Sequence, residues 1–139
     1  MHPYFSLQGR TALVTGGTRG IGKMIAKAFV EAGARVFVCA RDAEACHQTA
    51  EELGALGTCH GVAANLATEE GVQELAARLA EQITHLDILV NNAGTTWGAP
   101  LESYPVKGWE KVMQRNVTSV LSCIRQLLPL LRKAGSAAH

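Results

Sequence analysis

Length, composition and charge restrict the classes of protein to which this chain can belong. The sequence has 139 residues, of which 47% are hydrophobic and 18% are charged, and the formal net charge is +1. This balance is typical of one soluble globular domain with a substantial core. The cations are dispersed among acids, so we expect no binding to nucleic acid or to anionic membranes. No apolar run approaches the roughly 20 residues that span a bilayer, and no secretory pattern is present, so we expect a cytoplasmic protein.

The first strand, turn and helix of the sequence form a pattern that is typical of phosphate binding. An apolar run at 12–14 precedes a glycine-rich turn, and an amphipathic stretch extends from 21 to 32; the turn reads Thr15-Gly16-Gly17-Thr18-Arg19-Gly20-Ile21-Gly22. Glycines in such a turn let the backbone bend tightly and let a pyrophosphate approach the amides, while the helix N-terminus supplies partial positive charge. We therefore expect a bound dinucleotide.

A plain structural turn and a nucleoside-triphosphate loop are the two alternatives to this interpretation. Residues 17–23 spell G-x-x-x-x-G-K, but the eighth position is Met24, where a Ser or Thr hydroxyl must ligate magnesium. A kinase or an ATPase is therefore not favoured. The plain turn is less favoured because a second strand at 35–40 supplies the context that a dinucleotide motif requires.

The residues after the second strand indicate which dinucleotide is bound. Arg41 stands directly after that strand, where an acidic residue would bind the ribose hydroxyls of NAD. A guanidinium suits a 2′-phosphate instead, and Arg19 in the glycine turn can reach the same group. Asp42 could pair with Arg41, and either arginine could be an ordinary surface charge. We predict that the cofactor is NADP(H).

Strand and helix signals alternate from the second strand onward. They predict a helix at 42–53, a strand at 58–63, a helix at 68–82 and a strand at 86–90. This order predicts an α/β fold of Rossmann type, with a parallel sheet in the strand order 3-2-1-4. Ligands of such sheets lie at the carboxyl ends of the strands, where the order reverses between strands 1 and 4. The glycine turn and the segment 91–97 both follow strands that end there.

The four cysteines do not indicate a disulfide or a metal site. They stand at positions 39, 46, 59 and 123 without a C-x-x-C pair, so we expect reduced and mostly buried thiols. Cys46-His47 and Cys59-His60 repeat a potential ligand pair, but adjacent side chains diverge on a helix or a strand. No metal is predicted.

Three motifs together carry a resemblance to the short-chain dehydrogenase/reductase family. They are the T-G-x-x-x-G-x-G turn, the run Asn91-Asn92-Ala93-Gly94 after the fourth strand, and Asn116-Val117 in a helix predicted at 106–133. The chain resembles this family over essentially its whole length. Residues 1–7, 96–105 and 108–113 resemble its NADPH-dependent 3-oxoacyl-[acyl-carrier-protein] reductases, of the rhamnolipid-biosynthesis type. The resemblance implies hydride transfer from NADPH to a 3-oxoacyl thioester, and a homo-oligomer.

The resemblance also implies roles for individual residues. Arg41 would bind the 2′-phosphate, and Asn65 with Leu66 would contact the adenine. Asn65 departs from the acidic residue that many members place there, although an amide can still accept a bond from the adenine amino group. The centre of the cofactor would contact Asn92, Ala93 and Gly94, and the glycine turn would hold the pyrophosphate through Gly16, Thr18, Arg19, Gly20, Ile21 and Gly22.

The catalytic residues of the family are only partly represented. Members use a Ser that orients the carbonyl, a Tyr as general acid with a Lys four residues later, and an Asn that holds a water linked to this Lys. Asn116 matches the last of these, but no Tyr-x-x-x-Lys occurs. We expect residues 1–139 to be the amino-terminal, NADP-binding portion of a reductase, with the Ser, the Tyr-x-x-x-Lys and further strands after residue 139. The alternative is a catalytically inactive fragment that binds NADP or a partner.

Overall fold

The structure, a computed structural model, describes residues 6–92 and 126–132. Strands and helices alternate as predicted. In chain order they are β1 (Thr11–Thr15), α1 (Gly20–Glu31), β2 (Arg35–Ala40), α2 (Ala43–Gly54), β3 (Thr58–Ala63), α3 (Glu69–Gln82) and β4 (Ile88–Asn91). A further helical segment covers 126–132.

The described strands form one parallel sheet, and its order is β3-β2-β1-β4. The predicted strand order is therefore confirmed. Leu13 in β1 pairs with Phe37 on one side and with Leu89 on the other. At the carboxyl end of the sheet, Thr15 pairs with Asn91, so the glycine turn and the segment after β4 begin side by side.

Two apolar clusters cover the two faces of the sheet. Leu13 and Val14 in β1 are both fully buried, and they belong to different clusters because successive strand residues point to opposite faces. A parallel strand covered on both faces is expected to be a continuous apolar run. The Leu13 cluster includes Val72, Leu75 and Leu79 of α3 with Leu127 and Leu130, and the Val14 cluster includes Ala26 and Val30 of α1 with Leu53 of α2.

The fourth strand begins later than predicted, at Ile88 instead of residue 86. Leu86 is fully buried, and its N–H donates to the carbonyl of Leu130 at 3.2 Å. This bond joins the start of the β4 segment to a helix distant in sequence, a contact that no local pattern indicates. The long helix predicted at 106–133 is described only over 126–132, and the rest of it lies outside the described residues.

The cysteines of the described residues are buried, and no disulfide joins Cys39, Cys46 and Cys59. Burial raises the pKa of the Cys46 thiol, and it raises the pKa of the Cys59 thiol to about 11. These two thiols are therefore protonated near neutral pH and are poor nucleophiles. Within residues 6–92 and 126–132, no group of three His, Cys, Asp or Glu side chains could hold a metal ion. The helices of that part also lack the length and apolar character needed to cross a membrane.

Asp87 joins the amino ends of β1 and β4. Its side chain is only 10% exposed, and one carboxylate oxygen accepts a hydrogen bond from the N–H of Thr11 at 2.8 Å. The N–H of Asp87 donates in return to the Thr11 carbonyl at 2.9 Å. Arg10 and His85 lie 3.5 and 3.2 Å from the carboxylate oxygens. Asp87 thus fixes β4 against β1 at the end of the sheet opposite the glycine turn.

We predict that Asp87→Ala lowers the free energy of unfolding by about 1 to 3 kcal/mol, because the buried Thr11 N–H loses its acceptor. Arg10→Ala is the matched control. The Arg10 side chain is 53% exposed, and an exposed ion pair contributes only about 0 to 1 kcal/mol. Denaturant unfolding of both variants measures the difference, and equal losses would contradict the role assigned to the carboxylate.

Candidate cofactor site

A cleft of about 740 Å³ opens at the carboxyl ends of the strands, where the sequence predicts a ligand. The segments that follow each of the four strands contribute to its walls. The predicted site residues that line it are Gly16, Thr18, Arg19, Gly20, Ile21, Arg41, Asn65, Leu66 and Asn92. The cleft therefore brings together most of the residues predicted to bind the cofactor.

One described residue of the predicted site, Gly22, does not line the cleft. Gly22 is buried beneath the glycine turn, where an added Cβ would overlap the carbonyl of Gly16. Ala93, Gly94 and Asn116 lie outside the described residues, so their roles stay predictions.

The carbonyl groups of the glycine turn are held by bonds from other parts of the chain. The side-chain amide of Asn92 donates to the Gly16 carbonyl at 3.3 Å. The hydroxyl of Thr49, a residue only 3% exposed, donates to the Thr18 carbonyl at 3.5 Å. The N–H of Gly16 donates to the Cys39 carbonyl at 2.8 Å. These bonds fix the turn against β2, α2 and the end of β4.

The start of α1 differs from the starts of α2 and α3. Asp42 caps α2 and Thr68 caps α3, each through a side-chain oxygen that accepts backbone N–H bonds. The N-cap of α1 is Arg19, whose side chain makes no capping bond, and no acidic residue lies in the first turn. The first N–H groups of a helix have no acceptor within the helix and carry partial positive charge. The start of α1 therefore suits a phosphate.

Arg19 and Arg41 add two positive charges to the cleft. Both are exposed, and neither guanidinium makes an ion pair within residues 6–92 and 126–132. Asp42 was a possible partner for Arg41, but one of its carboxylate oxygens accepts bonds from the N–H groups of Glu44 and Ala45 at 2.9 and 3.2 Å. Both guanidinium groups are thus available to an anion.

Lys23 does not face the cleft as the lysine of a nucleoside-triphosphate loop would. Its ammonium lies 2.7 Å from the carboxylate of Glu52 on α2. Met24, at the position where such a loop needs a hydroxyl, is 70% exposed. This arrangement agrees with the sequence argument against a kinase or an ATPase.

The segment after β3 forms a hydrogen-bonded turn beside the cleft. The side-chain oxygen of Asn65 accepts a bond from the N–H of Ala67 at 3.0 Å, and the hydroxyl of Thr68 donates to the Asn65 carbonyl at 3.3 Å. An Asn side chain that bonds the backbone two residues later is an Asx turn. Leu66 is partly buried and packs on the Leu13 cluster. The turn thus places Asn65 and Leu66 together on the wall of the cleft.

Sequence reasoning did not assign two threonines that support the site. The Thr15 hydroxyl accepts a bond from the N–H of Asn92 at 2.9 Å and donates to the Val90 carbonyl at 3.2 Å. Its position at the end of β1, before the glycines, was a usable signal. Thr49 had no such signal, because its contact with Thr18 exists only once α2 lies beside the turn.

Comparison with known proteins identifies the family. Residues 10–138 match the short chain dehydrogenase family. The chain belongs to that family. The resemblance carried by the glycine turn and the Asn91-Asn92-Ala93-Gly94 run is therefore confirmed at the level of the short-chain dehydrogenases.

Individual short-chain dehydrogenases give the match in more detail. The chain is 69% identical to the rhamnolipids biosynthesis 3-oxoacyl-[acyl-carrier-protein] reductase of Pseudomonas aeruginosa, over 100% of this chain and 54% of that protein. The Pseudomonas aeruginosa RhlG/NADP active-site complex superposes with a TM-score of 0.91 at 69% identity, over 96% of this chain and 52% of that one. Serine 3-dehydrogenase of Rhizobium radiobacter is 38% identical, over 87% of this chain and 48% of that protein. The chain thus spans about half the length of the curated relatives it matches.

We predict that Gly22→Ala weakens NADPH binding by about tenfold or more. The added methyl group would overlap the Gly16 carbonyl and displace the turn that is proposed to hold the pyrophosphate. Overpacking of this kind costs the folded state about 1 to 3 kcal/mol, and we expect a loss of similar size in binding to the displaced turn. Fluorescence titration with NADPH measures the loss, and a thermal melt shows whether the variant is folded.

The matched control for this variant is Gly54→Ala, in the last turn of α2. A Cβ at Gly54 would meet nothing within 4 Å, so NADPH binding should not change. Wild-type affinity in a folded Gly22→Ala variant would show that the packing of α1 against the turn does not shape the cofactor site.

Proposed function

We propose that this chain is the NADP(H)-binding part of a reductase that acts on 3-oxoacyl thioesters. The observation that carries the cofactor assignment is the pair of arginines, Arg19 and Arg41, beside the uncapped start of α1. The name of the 69% identical Pseudomonas protein supports the reaction, and the name of the superposed RhlG/NADP complex supports the cofactor.

The residues present fit such a cofactor. The glycine turn and the first N–H groups of α1 would hold the pyrophosphate, since the carbonyls of Gly16 and Thr18 are bonded elsewhere. Asn65 and Leu66 would hold the adenine. When bound, NADPH supplies the hydride. The role of this chain is to bind NADPH and to orient it at the carboxyl edge of the sheet.

The cleft favours NADP(H) over NAD(H). A guanidinium forms bidentate, charge-assisted hydrogen bonds with a phosphate, whereas a nearby carboxylate would repel it. Asp42 also lines the cleft, and one of its oxygens caps α2. The 2′-phosphate would meet two cations, Arg19 and Arg41, against this one carboxylate.

The proposed substrate class rests on the relative with 69% sequence identity and not on the relatives with lower identity. Serine 3-dehydrogenase, at 38% identity, acts on a different substrate by its name, so family membership alone does not define the substrate. The Pseudomonas aeruginosa relative, which is 69% identical, is by its name a 3-oxoacyl-[acyl-carrier-protein] reductase. We therefore propose that the whole protein adds a hydride to the 3-oxo carbon and a proton to its oxygen, which gives a 3-hydroxyacyl thioester.

The proton-transfer residues of this reaction are proposed to belong to the rest of the whole protein. The 139 residues contain no Tyr-x-x-x-Lys, and they span about half of the reductase they match. Within this chain, Ala93 and Gly94 are proposed to contact the centre of the cofactor and Asn116 to hold the linking water. By the same resemblance, the whole protein is proposed to be a cytoplasmic homo-oligomer.

We predict that Arg41→Ala raises the dissociation constant of NADPH by about tenfold to a hundredfold. Hydrogen bonds to charged groups contribute about 1.5 to 3 kcal/mol, and the variant loses those made to the 2′-phosphate. NADH lacks that phosphate, so its dissociation constant should change by less than about threefold. Titration of both dinucleotides into the purified protein gives the two constants.

Lys27→Ala is the matched control, because Lys27 is an exposed cation of α1 that does not line the cleft. It should leave both dissociation constants unchanged. An equal loss of NADPH and NADH affinity in Arg41→Ala would refute the assignment of the 2′-phosphate to Arg41.

A further inference from the structure

Thr49 is a buried polar side chain of α2 to which the proposed function assigns no role. The residue is 3% exposed, and its hydroxyl donates to the Thr18 carbonyl at 3.5 Å. Cys46 and Leu53 lie one helical turn before and after Thr49 on the same face of α2, and both are buried. The helix is therefore held in place on both sides of Thr49, so the hydroxyl has a fixed position beside the glycine turn.

The contact with Thr49 fixes the direction of the peptide group between Thr18 and Arg19. This peptide is trans, so it is planar, and its carbonyl and N–H point in opposite directions. Because the Thr18 carbonyl faces α2, the Arg19 N–H points away from α2. That N–H donates to no acceptor within residues 6–92 and 126–132. Arg19 lines the cleft, so its N–H is an available donor there.

We infer that Thr49 is a positioning residue for the pyrophosphate of the cofactor. The inference rests on the proposed function, which places the pyrophosphate at the glycine turn. By holding the Thr18 carbonyl toward α2, the Thr49 hydroxyl keeps the Arg19 N–H available to a phosphate oxygen. Thr18 lines the cleft, so without this bond the peptide can rotate and turn its carbonyl toward the ligand. A carbonyl oxygen and a phosphate oxygen are both acceptors and repel each other, so the rotated turn binds the pyrophosphate more weakly.

The test replaces the hydroxyl by a methyl group in Thr49→Val, which keeps the shape of the side chain. We expect the dissociation constants of NADPH and NADH to rise together, each by about tenfold, because both dinucleotides carry the pyrophosphate. Thr49→Ser restores the hydroxyl, so it should bind both dinucleotides within about twofold of wild type. Fluorescence titration of the purified protein gives the constants, and a thermal melt without ligand shows whether each variant is folded.

Thr11→Val is the matched control, because it makes the same change at a buried position of β1, at the end of the sheet opposite the glycine turn. It should leave both dissociation constants unchanged. A merely structural role of Thr49 would lower the melting temperature of Thr49→Val and leave the binding of both dinucleotides as in wild type.

A rise of more than about threefold for both dinucleotides in Thr49→Val, reversed in Thr49→Ser, supports the inference. A smaller rise, a rise for one dinucleotide alone, or no recovery in Thr49→Ser overturns it. If Thr49→Val does not fold, Thr49→Ala is judged by the same limits. If neither variant folds, Thr49 is needed for the fold and not for positioning, and the inference is overturned. Failure of the proposed function looks different: wild type then binds neither dinucleotide, and both proposals are overturned.

Discussion

The hydrogen bonds between the ends of β1 and β4 are the interaction on which the rest of the site depends. Thr15 and Asn92 are far apart in sequence, yet the parallel pairing of the two strands brings the N–H of Asn92 to the Thr15 hydroxyl at 2.9 Å. The same Asn92 holds the Gly16 carbonyl through its side chain. Gly22 must lack a side chain because α1 passes close to that carbonyl. The geometry of the glycine turn is therefore a product of the sheet, and not of the turn alone.

The electrostatic character of the cleft follows from how its polar groups are satisfied. Three acceptors at its edge take part in hydrogen bonds within the protein: the carbonyls of Gly16 and Thr18 bond to side chains, and one Asp42 oxygen bonds to the start of α2. Donors remain, in the first turn of α1 and in the guanidinium groups of Arg19 and Arg41. An excess of available donors around a concave site suits an anionic ligand, since phosphate oxygens are acceptors only.

Much of the fold could be predicted from the sequence, because a continuous apolar run such as Ile88-Leu89-Val90 marks a central parallel strand and the glycine turn identifies the first one. The details that escaped prediction depend on contacts between distant segments. The support that Thr49 gives to the turn exists only once α2 lies beside it. The bond from the Leu86 N–H to the Leu130 carbonyl likewise joins segments far apart in sequence. The cap that Asp42 forms is different, because its partners Glu44 and Ala45 are local and an Asp before a helix is a capping signal.

The most direct test is a calorimetric titration of the wild-type protein with adenosine 2′,5′-bisphosphate and with AMP. Both ligands carry adenine, ribose and one 5′-phosphate, and they differ only in the 2′-phosphate that Arg19 and Arg41 are proposed to bind. Adenosine 2′,5′-bisphosphate should bind at least about tenfold more tightly than AMP, on the scale of one charge-assisted contact, and NADPH should displace it. Equal affinities, or no binding of adenosine 2′,5′-bisphosphate, would contradict the assignment of this cleft to NADP(H).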